Sequence, residues 1–235
     1  MDNTEISTLL KQYFGYDTLR EGQQEVVDII LAGDSAAAIF PTGSGKSLCY
    51  QLPALVLPHL TLVVSPLLAL MKDQVDFLNA HNIAAATIDS TQTAQQSSEV
   101  VQGVKNGSIK ILMISVERLK NERFREFIKN VPISLMVIDE AHCISEWGHN
   151  FRPDYIKLPN YQQQFNIKQV LLLTATATSH VISDMSREFS ITANHIVNTG
   201  FYRKNLNLSV LPYADKDKIS FLIDYLSSHQ GEAVI

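Results

Sequence analysis

The sequence predicts an α/β domain with a mostly parallel sheet and helices on both faces. Short apolar runs alternate along the chain with segments of helical spacing, which is the order that βαβ units produce. Several of the runs are continuously apolar, as strands buried on both faces are. Strands are predicted at 36–40, 61–65, 84–88, 109–114, 135–139, 170–174 and 195–198. Helices are predicted at 5–13, 21–31, 47–56, 67–80, 94–104, 122–128 and 180–189.

The composition is that of a globular protein with an ample core. Of the 235 residues, 46% are hydrophobic and 18% are charged, and no apolar run approaches the roughly 18–20 residues of a membrane span. The polar, acidic residues 1–5 do not resemble a secretory signal. Because Cys49 and Cys143 lack metal-ligand spacing, we expect reduced thiols in a cytoplasmic protein. The net charge of −5 gives no global argument for nucleic-acid binding.

A glycine-containing loop at residues 40–47 carries the strongest chemical signal. Its sequence, Phe-Pro-Thr-Gly-Ser-Gly-Lys-Ser, lies between a predicted strand and a predicted helix, the context of a phosphate-binding P-loop. Backbone N–H groups would hold the phosphates, Lys46 would contact the β- and γ-phosphates, and Ser47 would ligate Mg²⁺. The ATP-binding residues predicted here are Thr42, Gly43, Ser44, Gly45, Lys46 and Ser47. Phe40 departs from the general pattern, which has glycine there, and the alternative is a flexible loop.

Two adjacent carboxylates, Asp139 and Glu140, stand at the end of the predicted strand 135–139. The carboxyl ends of parallel strands border the usual ligand crevice. Asp139 has the position of an acid that holds Mg²⁺, and Glu140 that of the base that orients and deprotonates the attacking water. A solvated acidic cap is the alternative. Together with the glycine-containing loop 40–47, called the Lys46 loop below, the pair predicts ATP hydrolysis. Lys46, Asp139 and Glu140 are the predicted catalytic residues.

The sequence Asp-Glu-Ala-His at 139–142 is a DEAH box, as in superfamily-2 helicases, and the aromatic-rich segment 143–155 resembles that of the RecQ family of DNA helicases. Further segments resemble RecQ motifs in the family's order, at 14–23, 65–74, 89–92, 117–119 and 173–177. The resemblance extends from about residue 9 to residue 206. It implies a RecA-like P-loop domain that uses ATP and Mg²⁺ and binds single-stranded and duplex DNA.

The resemblance further implies that the segment 14–23 recognises adenine. The Gln23 side chain has an amide donor and an acceptor, which suffice to bind the N6/N7 edge of the base. Tyr16 and Arg20 would stack on the base or flank it. The residue types alone favour the alternative, which is the start of an ordinary amphipathic helix.

Residues after several predicted strands are expected to contact nucleic acid or to couple it to hydrolysis. Hydroxyl, amino and amide donors that bind phosphate oxygens are offered by Ser65, Lys72, Thr91 and Gln92. A stacking platform for unpaired bases is expected from Trp147, Phe151 and Arg152. Hydrogen bonds linking this segment to the next strand end are expected from His142, Thr174 and Thr176. The alternatives are solvated loops, aromatic residues packed in the core, and a histidine with a structural role.

We expect the chain to contain two parts. Residues 1–200 are predicted to form the first RecA-like lobe, and residues 201–235 a linker and the truncated start of a second lobe. The evidence is that residues 207–211 alternate like a strand, 216–227 have helical spacing, and 233–235 begin an apolar run where the chain stops. An open domain that ends in mid-strand would leave that strand unpaired.

The predicted function is that of an ATP-dependent 3′–5′ DNA helicase. Its polarity and its preference for DNA are implied by the family resemblance alone. We expect a bacterial protein associated with the nucleoid and without a membrane partner. This fragment of it is expected to be a monomer and to turn over poorly. The alternatives are an RNA helicase or a double-strand translocase of the same superfamily, and a non-catalytic nucleic-acid-binding module.

Overall fold

The computed structural model describes residues 3–89, 91–147, 151–200, 206 and 209–228. The chain divides into two compact units, residues 1–201 and residues 202–235. The larger unit contains the whole described sheet. The described part of the smaller unit contains one α-helix after a short 3₁₀ turn.

Seven strands are present in the described residues: β1 Ala36–Ile39, β2 Leu60–Val64, β3 Ala85–Thr87, β4 Ile111–Ile114, β5 Ile133–Ile138, β6 Val170–Thr174 and β7 Ile196–Asn198. They form one sheet in the order β3-β4-β2-β5-β6-β1-β7. Every neighbouring pair is parallel. The α/β class with a parallel sheet is therefore confirmed, and each predicted strand lies within two residues of an observed one.

The α-helices of the described residues are α1 Asn3–Leu9, α2 Gln23–Ala32, α3 Leu48–Val56, α4 Leu68–Ala80, α5 Ala94–Lys105, α6 Glu122–Lys129, α7 Leu158–Gln164, α8 Ser179–Glu188 and α9 Lys218–Ser228. Helix α1 continues as a π-helical turn, Leu10–Phe14, and the chain then reverses at Gly15, which has a φ of 73°. Helix α7 was not predicted. Its proline lies in the first turn, where a missing N–H is tolerated, and its glutamine run shows no apolar stripe.

Helices cover both faces of the sheet, and each face has its own core. Successive side chains of a strand point to opposite faces, so Ala37 and Ile39 of β1 pack into one core while Ala36 and Ala38 pack into the other. The first core contains side chains of α6, α7 and α8. The second contains side chains of α1, α2, α3 and α4. Burial on both faces explains why the strands are continuously apolar.

The central strands bring the predicted motifs to one edge of the sheet. Strands β2, β5, β6 and β1 are consecutive neighbours, and all run in the same direction. The chain therefore leaves them at the same edge, through Ser65, Asp139, Thr174 and the loop 40–47. A crevice at the carboxyl edge of a parallel sheet is the usual place for a ligand.

The described part of the smaller unit is simple. Helix α9 is present close to the predicted helix 216–227, and Phe221 stacks between Tyr213 and Tyr225 with ring centroids 4.3 and 5.8 Å away. The predicted strand 207–211 is not formed at residues 209–211, because no partner strand lies beside them in the described part of this unit. Residues 207–208 and 233–235 of the predicted strands lie outside the described residues. Within the described ranges, no helix has both the length and the apolar character needed to cross a membrane.

Candidate nucleotide-binding site

The loop 40–47 joins the end of β1 to the start of α3 and has the backbone of an anion cradle. Gly43 and Gly45 both have a φ of 81°, a conformation that glycine adopts without steric cost. Within the described ranges, no hydrogen bond joins the backbone N–H groups of Gly43, Gly45 and Ser47 to a backbone carbonyl of a turn or loop. Successive N–H groups of this kind, next to a helix N-terminus, provide the donors that a phosphate requires.

Side chains of the preceding segment hold the loop from outside. The Gln23 amide nitrogen donates to the carbonyl oxygens of Ser44 and Gly45, each at 3.0 Å, and its oxygen accepts the Arg20 backbone N–H at 2.8 Å. The Arg20 guanidinium donates to the Gly43 carbonyl at 2.9 Å. Both amide hydrogens of Gln23 are thus engaged with the loop. Recognition of the N6/N7 edge of adenine by Gln23 requires at least one of these two bonds to open, because N7 needs an N–H donor.

Two further side chains lie inside the loop. Lys46 Nζ donates to the Phe40 carbonyl at 3.2 Å, so the ammonium group folds back across the cradle. The Ser44 hydroxyl is buried and has no hydrogen-bond partner among the described residues. A buried hydroxyl without a partner is costly, and a bound phosphate oxygen would supply that partner. The residues present therefore fit a triphosphate.

A cavity of about 480 Å³ opens beside the loop. Six of the predicted ATP-site residues line it, namely Tyr16, Arg20, Gln23, Gly43, Gly45 and Ser47. Phe14 and Leu48 add apolar walls, and helix α4 forms a further side with Leu70, Asp73, Gln74 and Phe77. The mixture of apolar walls with a few convergent polar groups is typical of a small-molecule site.

Asp139 follows β5 directly and is held by three neighbours. Its carboxylate accepts the Ser65 hydroxyl at 3.1 Å and the Glu140 backbone N–H at 3.0 Å, and its carbonyl accepts the Tyr155 hydroxyl at 3.2 Å. Burial, followed by the neighbouring Glu140 charge, raises the pKa of Asp139. Ser65 is itself buried, so its hydroxyl belongs to the acid site. The nucleic-acid contact of Ser65 stays a prediction.

Glu140 and His142 form an ion pair that continues to the end of β6. Glu140 has a left-handed backbone with a φ of 51°, which is rare for residues other than glycine and marks strain at functional sites. His142 Nδ1 lies 3.2 Å from the Glu140 carboxylate and 2.9 Å from the Thr174 hydroxyl. Thr174 in turn donates to the carbonyl of Thr176 at 3.2 Å. The structure thus places His142, Thr174 and Thr176 in one hydrogen-bonded chain.

The two charged partners shift each other's proton affinity. Hydrogen bonds to the side chains of Cys143 and Glu140 raise the pKa of His142 to about 9. The same hydrogen bond to His142 lowers the pKa of Glu140. At neutral pH the pair is therefore an imidazolium and a carboxylate. Glu140 is held ionised, in a fixed orientation beside the Lys46 loop.

The aromatic-rich segment begins immediately after this pair. Trp147 is 79% exposed and Phe151 is 37% exposed, so neither is a core residue. The Arg152 guanidinium lies 3.5 Å from the Pro66 carbonyl, and Asp154 pairs with Lys120 at 2.8 Å. Residues 148–150 lie outside the described ranges. The exposed rings fit the predicted stacking surface, and the two anchoring contacts follow them in the chain.

The remaining predicted nucleic-acid contacts are separate from this cluster. Lys72 is exposed on α4. Thr91 is bonded through its backbone N–H and its hydroxyl to Asp89, at 2.7 and 2.6 Å, and Gln92 donates to the Thr87 carbonyl at 2.9 Å. Thr91 and Gln92 therefore hold their own turn. Lys72 is the cationic member of this predicted set, and it forms no ion pair within the described ranges. No described cluster of three or more His, Cys, Asp or Glu side chains could hold a metal.

Sequence reasoning missed the residues that act through packing. Tyr155 is fully buried and fixes the Asp139 carbonyl, yet a tyrosine in this segment gave no signal beyond the aromatic composition. The α4 wall of the cavity also escaped, because its residues belong to a segment that was assigned to nucleic acid. A count of the apolar side chains exposed on α4, such as Leu70 and Phe77, would have suggested a ligand-facing surface.

A parallel sheet with a Lys46 loop and an Asp-Glu strand end defines a P-loop nucleotide-binding domain. The family model described as DEAD/DEAH box helicase matches residues 20–185, and the chain belongs to this family. Among curated relatives, the ATP-dependent DNA helicase RecQ of Bacillus subtilis (strain 168) is 43% identical over 97% of this chain and 39% of the relative. The probable ATP-dependent DNA helicase RecS of the same organism is 41% identical over 99% of this chain and 47% of its own length.

Solved structures show the same fold at lower identity. A hypothetical ATP-dependent RNA helicase from Sulfolobus tokodaii has a TM-score of 0.62 and 23% identity, over 84% of this chain and 57% of that one. The DUF1998 helicase MrfA bound to DNA has a TM-score of 0.64 and 20% identity, over 84% of this chain and 29% of that one. At this identity the two structures support the fold alone. The chain spans less than half the length of the curated relatives named above.

Proposed function

We propose that the chain is the ATP-binding lobe of a motor that couples ATP hydrolysis to 3′–5′ movement along single-stranded DNA and to duplex separation. The observation that carries the proposal is the meeting of the Lys46 loop with the Glu140–His142 pair at one sheet edge. The RecQ names of the relatives support DNA as the nucleic acid. The polarity rests on the family resemblance.

The reaction is ATP + H₂O → ADP + phosphate, and each nearby group has one task in it. Lys46 leaves the Phe40 carbonyl to contact the β- and γ-phosphates, while the N–H groups of Gly43, Gly45 and Ser47 bind phosphate oxygens. Glu140 accepts a hydrogen bond from the attacking water, orients it and takes its proton. The imidazolium of His142 keeps the Glu140 carboxylate aligned during this step.

Mg²⁺ would be held by Ser47, Asp139 and the phosphates themselves. Such a site needs only one or two protein ligands, because Mg²⁺ is commonly bound through carboxylates together with substrate phosphates. When bound, the ion neutralises charge that develops on the phosphate oxygens. Asp139 fits this role because its two hydrogen bonds fix its carboxylate and its oxygens retain lone pairs.

The exposed rings of Trp147 and Phe151, called the Trp147 surface below, would link the site to nucleic acid. A base stacked on Trp147 or Phe151 would shift the neighbouring turn that contains His142 and Glu140. DNA binding would thereby change the alignment of the Glu140 carboxylate. Stacking on exposed aromatic rings does not depend on sequence, as a motor on single-stranded DNA requires. Thr174 and Thr176 would carry the change towards β6.

We propose that residues 202–235 begin a second lobe, and that this lobe supplies an arginine to the transition state. An arginine of this kind contributes about 10³–10⁵ in rate in related phosphoryl-transfer enzymes. The 235-residue chain alone should therefore bind ATP but hydrolyse it poorly. A monomeric protein acting on DNA beside the nucleoid fits this proposal.

The test is an ATPase assay on the natural protein that contains this chain, with single-stranded DNA, single-stranded RNA or no nucleic acid. DNA should raise turnover, and RNA should not. Glu140→Gln should abolish turnover while an ATP analogue still binds. Stimulation by RNA alone would favour the RNA helicase, and near-normal turnover of Glu140→Gln would remove Glu140 from the role of base.

A further inference from the structure

The hydroxyl of Ser145 lies at the base of the Trp147 surface and makes two hydrogen bonds. It donates to a carboxylate oxygen of Asp184 at 2.8 Å, and its oxygen accepts the backbone N–H of Trp147 at 3.3 Å. Ser145 is only 3% exposed, so water does not replace either bond readily. Hydrogen bonds in such a chain polarise and strengthen one another. The Asp184 carboxylate therefore strengthens the hydrogen bond between the Ser145 hydroxyl and the Trp147 backbone N–H.

Asp184 lies on α8, outside every motif that the sequence analysis assigned to a function. Its second oxygen pairs with Arg187 at 2.9 Å, one turn further along the same helix. Helix α8 begins after Thr178, whose hydroxyl caps it by accepting the Val181 N–H. Only a few residues separate this cap from Thr174. The carboxylate is thus attached to the segment that also binds His142.

The turn Ala141–Ile144 and the residue after it are consequently held at two points. His142 contacts the Thr174 hydroxyl at 2.9 Å, and Ser145 contacts the Asp184 carboxylate at 2.8 Å. Both partners belong to the continuous stretch from β6 to α8. Because the two contacts are only three residues apart in the turn, it cannot rotate relative to that stretch without breaking one of them.

We propose that Asp184 is a positioning residue, which orders the backbone of Trp147 through Ser145 and so presents the exposed ring for stacking. It touches neither the nucleotide cavity nor the ring itself. Its role in presenting Trp147 to a DNA base rests on the proposed function, whereas its role in ordering Trp147 does not. The two parts can therefore be tested apart.

The chain contains a single tryptophan, so fluorescence excited at a wavelength that its tyrosines do not absorb reports on Trp147 alone. The experiment is time-resolved anisotropy of the 235-residue chain and of Asp184→Ala, Ser145→Ala and Asp184→Asn. If the segment changes from an order parameter of about 0.85 to below about 0.6, the amplitude of the fast anisotropy component rises about two- to threefold. We expect this rise in both alanine variants, and no further rise in the double variant, since both remove the same connection. Asp184→Asn keeps an acceptor oxygen and should lie close to the wild type.

Arg187→Ala is the matched control, because it removes the other partner of Asp184 and leaves the bond to Ser145. It should behave as the wild type. Wild-type anisotropy in Asp184→Ala and Ser145→Ala would overturn the inference, and so would an equal effect of Arg187→Ala, which would indicate general loosening of α8. Ser145→Ala alone decides the matter if Asp184→Ala fails to fold, as judged by circular dichroism.

A titration with oligothymidylate tests the part that rests on the proposed function. Stacking of a base on Trp147 should quench its emission, and Asp184→Ala should raise the apparent Kd about tenfold or more, the factor expected when a hydrogen bond to a charged group no longer stabilises the binding-competent state. An unchanged Kd in Asp184→Ala would overturn the presentation of the ring to DNA. If oligothymidylate does not quench the wild type while the anisotropy changes as expected, the ordering role stands and the proposed DNA function fails.

Discussion

Gln23 offers the sharpest test of how the nucleotide loop is stabilised. Its side chain is 2% exposed and makes three hydrogen bonds, to the Arg20 N–H and to the carbonyls of Ser44 and Gly45. Gln23→Ala removes all three at once. It leaves two carbonyls of the loop without their partner, at the point where Gly45 must adopt its left-handed conformation.

The expected loss follows from these contacts. A net value of about 1 kcal/mol for each hydrogen bond gives about 3 kcal/mol, as an upper figure because water can reach part of the loop. In a domain of this size, 1 kcal/mol corresponds to about 2–4 °C in the melting temperature, so a fall of about 6–12 °C is expected. Gln24→Ala is the matched control, since Gln24 is exposed on the same helix and bonds only to Asp28.

The assay combines a thermal melt with calorimetric titration of ATP and GTP analogues. If Gln23 stabilises the loop, Gln23→Ala should weaken both analogues by a similar factor, because the phosphate cradle is common to them. The Gln24→Ala melt should match that of the wild type. A variant that keeps the wild-type melting temperature and loses affinity for the ATP analogue alone would refute the stabilising role and favour recognition of adenine.

Two further predictions concern the same edge of the sheet. Gly45→Ala should weaken nucleotide binding, because the new Cβ would lie 2.7 Å from the Gln23 amide nitrogen and displace it from the loop carbonyls; Gly33→Ala, with a similar positive φ but nothing within 4 Å, should leave binding unchanged and cost about 1–2 kcal/mol in thermal stability. Equal nucleotide affinities of Gly45→Ala and Gly33→Ala would contradict the contact between position 45 and Gln23. The pKa of His142 is raised from 6.5 to about 9, so its stabilising contribution is complete below pH 6.5 and is lost as the pH rises through about 9. Melting temperatures from pH 6 to 10 should therefore fall more in the wild type than in His142→Asn, and parallel curves would contradict the ion pair.

Much of the fold was predictable because the strands are buried on both faces. Short, mostly apolar runs located all seven described strands, and the residues that follow β1 and β5 identified the Lys46 loop and the Asp139–Glu140 pair. The order of the strands was not predictable. It depends on which helices cover which face, and a single sequence does not contain that pairing.

The features that were not predicted depend on contacts between residues that are distant in the sequence. Helix α7 has no apolar stripe, so only its tertiary packing, through residues such as Leu158, reveals it. The hydrogen bond from the Ser65 hydroxyl to the Asp139 carboxylate was not predicted, because it depends on the pairing of β2 with β5. The bonds of the Gln23 amide to two loop carbonyls could not be predicted, because a sequence does not show which carbonyls need a donor.

The central claim is that the Lys46 loop binds the triphosphate of ATP. Calorimetric titration of the 235-residue chain with a non-hydrolysable ATP analogue and Mg²⁺ tests it directly. The wild type, Glu140→Gln and the exposed-lysine control Lys105→Ala should bind alike, while Lys46→Ala should bind about tenfold or more weakly, as the loss of charge-assisted hydrogen bonds requires. Equal affinity of Lys46→Ala and the wild type would contradict the account.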